Sequence, residues 1–495
     1  MRNYAGVFVI AACALCWVPD KSAAAEETSK SKALPPIPLS LNEVHAWIDR
    51  SHPLLKGAGT EKTSARGKML KALGAFEPVL VNDTEIERFI DKGTTKTQSV
   101  GFNDTLVEAR TPWGFRGSAG VRQSIGDAKI PDLAFGNGQQ VILGGFLPLL
   151  KGLMINPEHA ELQRSELADP RAEVKISQTR QDLFLAAATQ FWDWVSAAKF
   201  VDVQRRALGV AEERLRQVEG RAKAGAVAPL DVVEAGQEVQ RRREVAIAAQ
   251  RTVEQEQYKM SMFLWENQAP TTPQLERVPD FPPPAAPPTS EAVKADKLQA
   301  KTDRPEIREV DIEAKVNNID LELAKNNLLP SLDLEAAPAR APEKFVLGLG
   351  YRFGAELRIP ILQRRSRGEV MEAQAQADRL VLVQKYREQQ VVVDVDNALS
   401  AIERAKERVA AAAESLRMAK TLEEGERFRF SLGATSVLFV NLRERNSVDS
   451  EMQLVRAKAD YQKALALYQW ATGSWARSQP SAVPVNYRVG ASFSK

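Results

Sequence analysis

Cysteine is almost absent from the sequence, with only Cys13 and Cys16 among 495 residues. Both lie in an N-terminal apolar segment, so the remainder of the chain can form no disulfide framework. No later run of about 18 or more apolar residues exists, which argues against a membrane-spanning helix in the remainder of the chain. If this chain enters a membrane, it is expected to do so through β-strands.

The chain also lacks a charge imbalance and any constellation typical of enzymes. Its 67 basic and 64 acidic residues nearly cancel, which gives no reason to expect a nucleic-acid partner. The three histidines, His45, His52 and His159, are scattered and do not have the spacing of metal ligands. Neither GxSxG nor a phosphate-binding Walker motif occurs. We therefore expect no catalytic residues, no metal site and no cofactor, and the protein is not predicted to be an enzyme.

The N-terminus has the features of a secretion signal. Arg2 precedes the apolar residues 4–18, and Ala23-Ala24-Ala25 has the form of a cleavage site. Residues 1–25 are therefore predicted to be a signal peptide. An alternative is a lipoprotein signal with Cys13 as the lipidated residue, although the apolar run continues past Cys13.

An internal duplication follows from the spacing of breaks in the chain. A proline-rich connector, residues 266–298, divides the sequence into two halves. In the first half Gly225 precedes Trp265 by 40 residues, and in the second Gly433 precedes Gly473 by 40 residues. Matching spacing of this kind indicates that the two halves are repeats.

Each half contains a long helical pattern that breaks at one of these glycines. Between residues 391 and 419, apolar side chains recur with alternating spacings of four and three, which is a heptad repeat. A helix of roughly 60 residues would be about 90 Å long. We predict two long helical hairpins, residues 149–265 with a tip near 225 and residues 361–473 with a tip near 433.

Strand patterns precede each helical hairpin. Residues 107–122 and 345–359 alternate between apolar and polar or small side chains, which predicts long strands with two different faces. Less regular partners lie at about 139–147 and 329–337. The pattern predicts one β-hairpin within residues 105–148 and a second within 329–360, each with strands near the ~10 residues that cross a bilayer.

Four strands per chain would require oligomerisation in a membrane. A closed barrel needs about eight strands, and open sheet edges are not tolerated in lipid. Three copies would supply twelve strands. The remaining segments are predicted as a helical or equatorial segment at 26–104, an equatorial helix at 299–328 and a C-terminal tail at 474–495. A filamentous coiled coil without a membrane part is the alternative.

The order of these features resembles the TolC-like outer-membrane efflux protein family. The resemblance rests on the duplicated halves, on the LPLL and IPIL junctions between strand and helix, and on the two tip segments RAKAGAVAPLDVVEA (221–235) and RFSLGATSVLFVNLRE (429–444). It implies a mainly α-helical protomer with a transmembrane β part. It further implies a homotrimer in which each protomer completes a shared β-barrel in the outer membrane, above a helical tunnel in the periplasm. The expected function is passive conduction within a tripartite efflux system.

The resemblance also implies partners and contact residues. The partners would be outer-membrane lipid, a periplasmic adaptor (membrane fusion) protein and, through it, an inner-membrane pump of the RND or ABC type. The adaptor would dock on the two tips. The implied docking residues are Arg221, Gly225, Ala226, Pro229, Asp231 and Glu234 in the first tip, and Arg429, Gly433, Ala434, Thr435 and Ser436 in the second.

The second tip departs from the family pattern. Well-known members have aspartates six and nine residues after the glycine and an arginine two residues after it, whereas this sequence has Phe439, Leu442 and Thr435. We therefore expect an apolar constriction formed by Phe439 and Leu442 that closes by dewetting. The alternative is that these two side chains pack between helices. Two further readings of the whole protein are type I protein secretion and a structural periplasmic coiled coil that transports nothing.

Overall fold

The computed structural model describes residues 37–90, 97–125, 139–285, 288–338 and 351–477. The predicted signal peptide, Cys13 and most of the predicted C-terminal tail lie outside these ranges. The helices are α1 (Leu41–Ser51), α2 (Pro53–Leu73), α3 (Pro157–Glu166), α4 (Ala168–Lys223), α5 (Pro229–Ser261), α6 (Ser290–Asp303), α7 (Pro305–Asn326), α8 (Arg364–Ser431), α9 (Val437–Ala471) and α10 (Ser474–Arg477). The strands are β1 (Val79–Ile90), β2 (Thr97–Arg110), β3 (Arg116–Ile125), β4 (Gln139–Pro148), β5 (Trp265–Glu266), β6 (Ala269–Pro270), β7 (Ser331–Pro338) and β8 (Tyr351–Arg358).

Two long helical hairpins, α4 with α5 and α8 with α9, form most of the molecule. Helix α8 has 68 residues, which corresponds to a length of about 100 Å. The apolar heptad positions of α8 from Val391 to Val409 are buried, and the lower ones pack against Ala457 and Tyr461 of α9. The predicted hairpins and the heptad seam are therefore confirmed.

The two hairpins lie side by side in a fixed order. Helix α4 packs on α5, α9 packs on α8, and α4 also packs on α9. The order across the layer is thus α5, α4, α9, α8, so that α5 and α8 are the outer helices. Within the described ranges, no helix combines the length and the apolar character needed to cross a membrane.

The connector between the halves is shorter than predicted. Helix α6 begins at Ser290, where the Thr289 side chain accepts a hydrogen bond from the Ala292 N–H at 3.3 Å. The single helix expected at residues 299–328 is instead two helices, because Pro305 begins α7 after an extended Arg304. Both differences arise from local capping signals that the overall proline content concealed.

The expectation of four strands is wrong. One antiparallel sheet has six strands in the order β1-β2-β3-β4-β7-β8. The predicted helical segment at 26–104 contributes β1 and the first part of β2 to it. The estimate of twelve strands for three copies therefore no longer follows.

The alternating segment 107–122 is also two strands and not one. Strand β2 ends at Arg110, and the chain turns where the Thr111 N–H donates to the Phe115 carbonyl at 2.8 Å and Gly114 has a φ of +84°. Arg110 and Arg116 are cross-strand partners, so even-numbered residues on both strands share one face. Alternation consequently continues through the turn, and the pattern cannot reveal it.

The sheet has the two different faces that the alternation predicted. On one face Leu80, Val107, Ala119 and Leu143 form a row across four strands. On the other face Arg122 forms a bidentate ion pair with Asp104, with N···O distances of 2.6 and 2.7 Å. The described part of the sheet is therefore apolar on one side and charged on the other.

The largest hydrophobic cluster joins the start and the end of the described chain to α4. Side chains from α1, α4 and α5 are fully buried there, among them Val44, Ile48, Phe191, Trp194 and Met260. The guanidinium of Arg180 on α4 pairs with Asp49 of α1 at 2.7 Å and donates to the Trp475 carbonyl at 2.5 Å. This cluster fixes the base of the hairpins, far along α4 from the tips.

Candidate functional site: the paired hairpin tips

The first tip is a tight turn around a left-handed glycine. Helix α4 ends at Lys223, and Gly225 has a φ of +71°. The Gly225 N–H donates to the Ala222 carbonyl at 3.0 Å, and the Ala226 N–H donates to the Arg221 carbonyl at 2.9 Å. These two bonds form a Schellman motif, which satisfies the last carbonyls of the helix.

The second tip repeats the first atom for atom in its backbone bonds. Gly433 has a φ of +73°, its N–H donates to Phe430, and the Ala434 N–H donates to Arg429, at 3.0 and 2.9 Å. Each partner lies 208 residues after its counterpart in the first tip. The predicted helix ends at Gly225 and Gly433 are confirmed.

The returning helices begin differently. Pro229 is the first residue of α5, and the Asp231 carboxylate accepts a hydrogen bond from the Ala228 N–H at 3.1 Å. Ala228 has no side-chain acceptor, so only this half of a capping box forms. The negative charge in the first turn also stabilises the helix through its dipole, as expected for Asp231. Ser436 precedes α9 without any side-chain capping bond.

The two tips are joined within one chain by Arg221. Its guanidinium donates to the carbonyls of Phe430 and Ser431 at 3.2 and 3.1 Å and lies 4.9 Å from the centre of the Phe430 ring. Below this contact Val218, Val437 and Val440 are almost fully buried. The structure thus brings the predicted tip residues of both halves into one compact unit.

Phe439 and Leu442 point away from that unit. Their exposed fractions are 53% and 44%, whereas Val437 and Val440 are 1% and 0% exposed. The alternative in which Phe439 and Leu442 pack between the helices of their own chain is therefore wrong. Thr435 is half-buried beside the turn.

Sequence reasoning missed the buried ion pairs behind the tips. Arg214 of α4 pairs with Glu444 of α9 at 2.6 Å, and the Arg427 Nε lies 3.1 Å from the same carboxylate oxygen. Burial lowers the pKa of Arg214, and the negative charge of Glu444 opposes that shift. The partners belong to opposite halves of the chain, so no local spacing could have indicated them.

A second buried pair lies one helix further along. Glu238 of α5 accepts hydrogen bonds from Arg242 at 2.9 Å and from Arg445 of α9 at 3.1 Å. Burial alone would raise the pKa of Glu238, but the two arginines outweigh it and lower that pKa. The carboxylate therefore remains ionised inside the packed tips.

Among the described residues, no three His, Cys, Asp or Glu side chains are grouped so that they could hold a metal ion.

A match to a protein family supports the resemblance found in the sequence. Residues 298–473 match the model of the family described as outer membrane efflux protein. These residues include α7, β7, β8, α8 and α9. The predicted resemblance is confirmed, and an outer-membrane location is confirmed for the family to which this part of the chain matches.

Solved outer-membrane channels have the same fold. The channel OprN is 15% identical with a TM-score of 0.64, over 88% of this chain and 90% of that one. The Campylobacter jejuni CmeC channel is 13% identical with a TM-score of 0.64, over 89% of this chain and 87% of that one. CusC is 15% identical with a TM-score of 0.65, over 87% and 91% of the two chains. No curated protein sequence matches this chain.

Proposed function

We propose that this protein is the outer-membrane channel-tunnel of a tripartite efflux or secretion system. It conducts substrates passively from a periplasmic adaptor and an inner-membrane pump to the cell exterior. The observation that carries the proposal is the combination of a two-faced sheet with paired hairpins of up to about 100 Å. A sheet of this kind suits a bilayer, and hairpins of this length suit a tunnel across the periplasm.

The sheet supports insertion into lipid as a shared barrel. Apolar side chains on one face are exposed in the single chain, among them Val107 (47%), Val141 (45%) and Phe353 (80%). Strands β1 and β8 are the edges of the described sheet. Because lipid does not satisfy free backbone groups, these edges pair with other copies, and a homotrimer is the assembly proposed.

The tips support docking of an adaptor at the far end of the tunnel. Gly225, Ala226, Gly433 and Ala434 are exposed and present little side-chain volume. The backbone there is set by the two Schellman motifs, so the docking surface is rigid without a partner. Arg221 has a different role from the one the resemblance implied, since its guanidinium already holds the second tip.

Phe439 and Leu442 support an apolar constriction. They are exposed on a helix whose opposite face is buried in the tips, so an assembly of several copies can bring them together around an axis. A ring of apolar side chains closes a narrow pore to water and ions without any charged lock. The open state is then set by how far the tips separate.

The proposal is tested by fractionation and by conductance. The tagged protein should be recovered in the outer-membrane fraction and should migrate differently on gels before and after heating. The purified oligomer should form ion-conducting pores in planar bilayers. A soluble periplasmic product without conductance would favour a structural coiled coil instead. A conducting protein whose gene deletion alters no drug, dye or metal sensitivity would favour protein secretion.

A further inference from the structure

The two halves of the chain contact each other through non-equivalent faces. Helices α4 and α8 correspond in the duplication, as do α5 and α9, with an offset of 208 residues at the tips. Inside the chain, α4 of the first half packs on α9 of the second. The corresponding faces, on α8 and on α5, lie on the two outer helices.

We propose that these outer faces are partners for each other, with α8 of one copy packing on α5 of a second copy. A repeat unit with a head-to-tail interface leaves complementary faces at its two ends. The contacts within the chain then predict, residue by residue, the contacts between copies. This inference rests on the proposed function, because such a channel forms only by assembly of copies.

The first observation is a reversed charge pair. Within the chain Arg206 of α4 pairs with Glu451 of α9 at 2.6 Å. The equivalent positions on the outer helices are Glu414 of α8 and Arg243 of α5. Their side chains are each 51% exposed, and their charges are opposite with the signs exchanged.

The second observation is a match of size. The equivalents of the buried pair Arg214 and Glu444 are Leu422 on α8 and Gly236 on α5. Leu422 is 52% exposed, and a Cβ added at Gly236 would meet no atom within 4 Å. Nothing in the single chain explains a glycine inside α5, where it costs about 1 kcal/mol relative to alanine. An apolar side chain from a second copy explains both residues.

The third observation concerns the tip arginines. Arg221 caps the end of α8 by donating to the Phe430 and Ser431 carbonyls. Its equivalent is Arg429, whose side chain is 61% exposed. In the assembly Arg429 caps the end of α4 on the second copy, at Ala222 and Lys223.

The sign exchange makes the two interfaces specific. If α8 of a second copy replaced α4 on α9, Glu414 would face Glu451, and like charges would repel. The outer face of α8 therefore fits α5 and rejects the site already used inside the chain. Copies consequently join only at their outer helices, and the order of hairpins around the assembly is fixed.

The experiment compares two double-cysteine variants treated with a short bis-maleimide crosslinker. Glu414→Cys with Arg243→Cys should give a ladder of crosslinked chains. The matched control, Arg206→Cys with Glu451→Cys, should give a crosslink within a single chain, seen in its peptides by mass spectrometry. Both pairs are on the surface, and wild-type protein treated in the same way gives the background from its own two cysteines.

A charge exchange provides an independent readout. Glu414→Arg or Arg243→Glu alone should weaken assembly about tenfold, and the combination should restore it. Glu424→Arg, on the same helix but equivalent to the exposed Arg216, should leave assembly unchanged.

The outcomes separate this inference from the proposed function. A conducting oligomer in which the Glu414 and Arg243 cysteines give no crosslink between chains overturns the inference and leaves the channel intact. A protein that remains monomeric and does not conduct overturns both. Failure of the combined charge exchange to restore assembly also contradicts the pairing.

Discussion

Arg214 and Glu444 form an ion pair of 2.6 Å in which each side chain is less than a tenth exposed. The two residues are on helices from opposite halves of the chain, one turn region below the tips. A buried charge that loses its partner is strongly destabilising, because the remaining charge has neither water nor a counter-ion. The pair therefore holds the two hairpins in register.

Replacing Glu444 by Gln should loosen the tips. We expect the protein to lose about 3 kcal/mol of stability, since Arg214 and Arg427 both lose their buried acid. Thermal unfolding of the purified protein, followed by circular dichroism, measures the change. The exposed pair of Arg216 with Glu213 is the control, because Arg216→Ala removes an ion pair that water screens. Equal destabilisation by both changes would contradict the role assigned to burial.

The tip glycines should not accept a side chain. Gly433→Ala places a Cβ on a backbone with a φ of +73° and should cost about 1 kcal/mol. Gly225→Ala should cost the same, since its φ is +71°. Gly425→Ala, inside α8 with open space around it, should instead stabilise by up to about 1 kcal/mol. Urea unfolding of the three variants distinguishes the backbone effect from any general sensitivity of the helix.

Polar substitution of the exposed apolar pair should open the pore. Phe439→Ser with Leu442→Ser should raise single-channel conductance and make cells sensitive to large antibiotics, because water can then wet the constriction. Met418→Ser, also exposed on the second hairpin but away from the tip, should change neither. Unchanged conductance in the first variant would place the constriction elsewhere.

Docking of the adaptor should depend on the small residues at the tips. Ala226→Glu with Ala434→Glu adds bulk and charge to an exposed surface, so transport in cells should fall while conductance of the purified channel stays the same. Arg404→Glu, exposed at mid-length on α8, serves as the control. Loss of conductance in the tip variant would indicate damage to the pore and not to docking.

His45 should make the base of the hairpins sensitive to acid. The buried ring stacks on Phe184 at 4.1 Å, and burial lowers the pKa of His45 from 6.5 to about 4. The unfolded chain therefore binds a proton in a range where the folded chain does not. Stability is complete above pH 6.5 and falls by about 3 kcal/mol as the pH drops to 4.

The substitution His45→Phe tests that pH dependence. Phenylalanine keeps the stacking on Phe184 and the edge contact with Trp475 but cannot titrate. Its unfolding free energy should be much less dependent on pH between 6.5 and 4. A slope equal to that of the wild type would assign the effect to other groups, such as His52, whose pKa burial also lowers.

The strand count shows what a pattern along the chain cannot reveal. Residues 107–122 alternate without interruption, yet they form the end of β2, a turn and the start of β3. The alternation survives because Arg110 and Arg116 are paired, which keeps the parity of both faces. The turn depends instead on Gly114 and on one backbone bond, which are signals of a few residues.

The sequence by itself determined the features that depend on local chemistry. The heptad seam of α8, the glycine ends of α4 and α8, the capping acid Asp231 and the two faces of the strands are all properties of neighbouring residues. Short-range sterics and burial periodicity specify these features before the chain folds. The duplication was likewise visible as equal spacing.

Only the tertiary structure decided which side chains meet across the halves. The pairing of Arg214 with Glu444, the capping of α8 by Arg221 and the outward direction of Phe439 depend on how two hairpins lie against each other. Their partners are about 200 residues apart, and a rotation of either helix would exchange buried and exposed faces without altering any local pattern. Packing selects that rotation, because only one orientation buries the valines of the tips and satisfies the buried charges together.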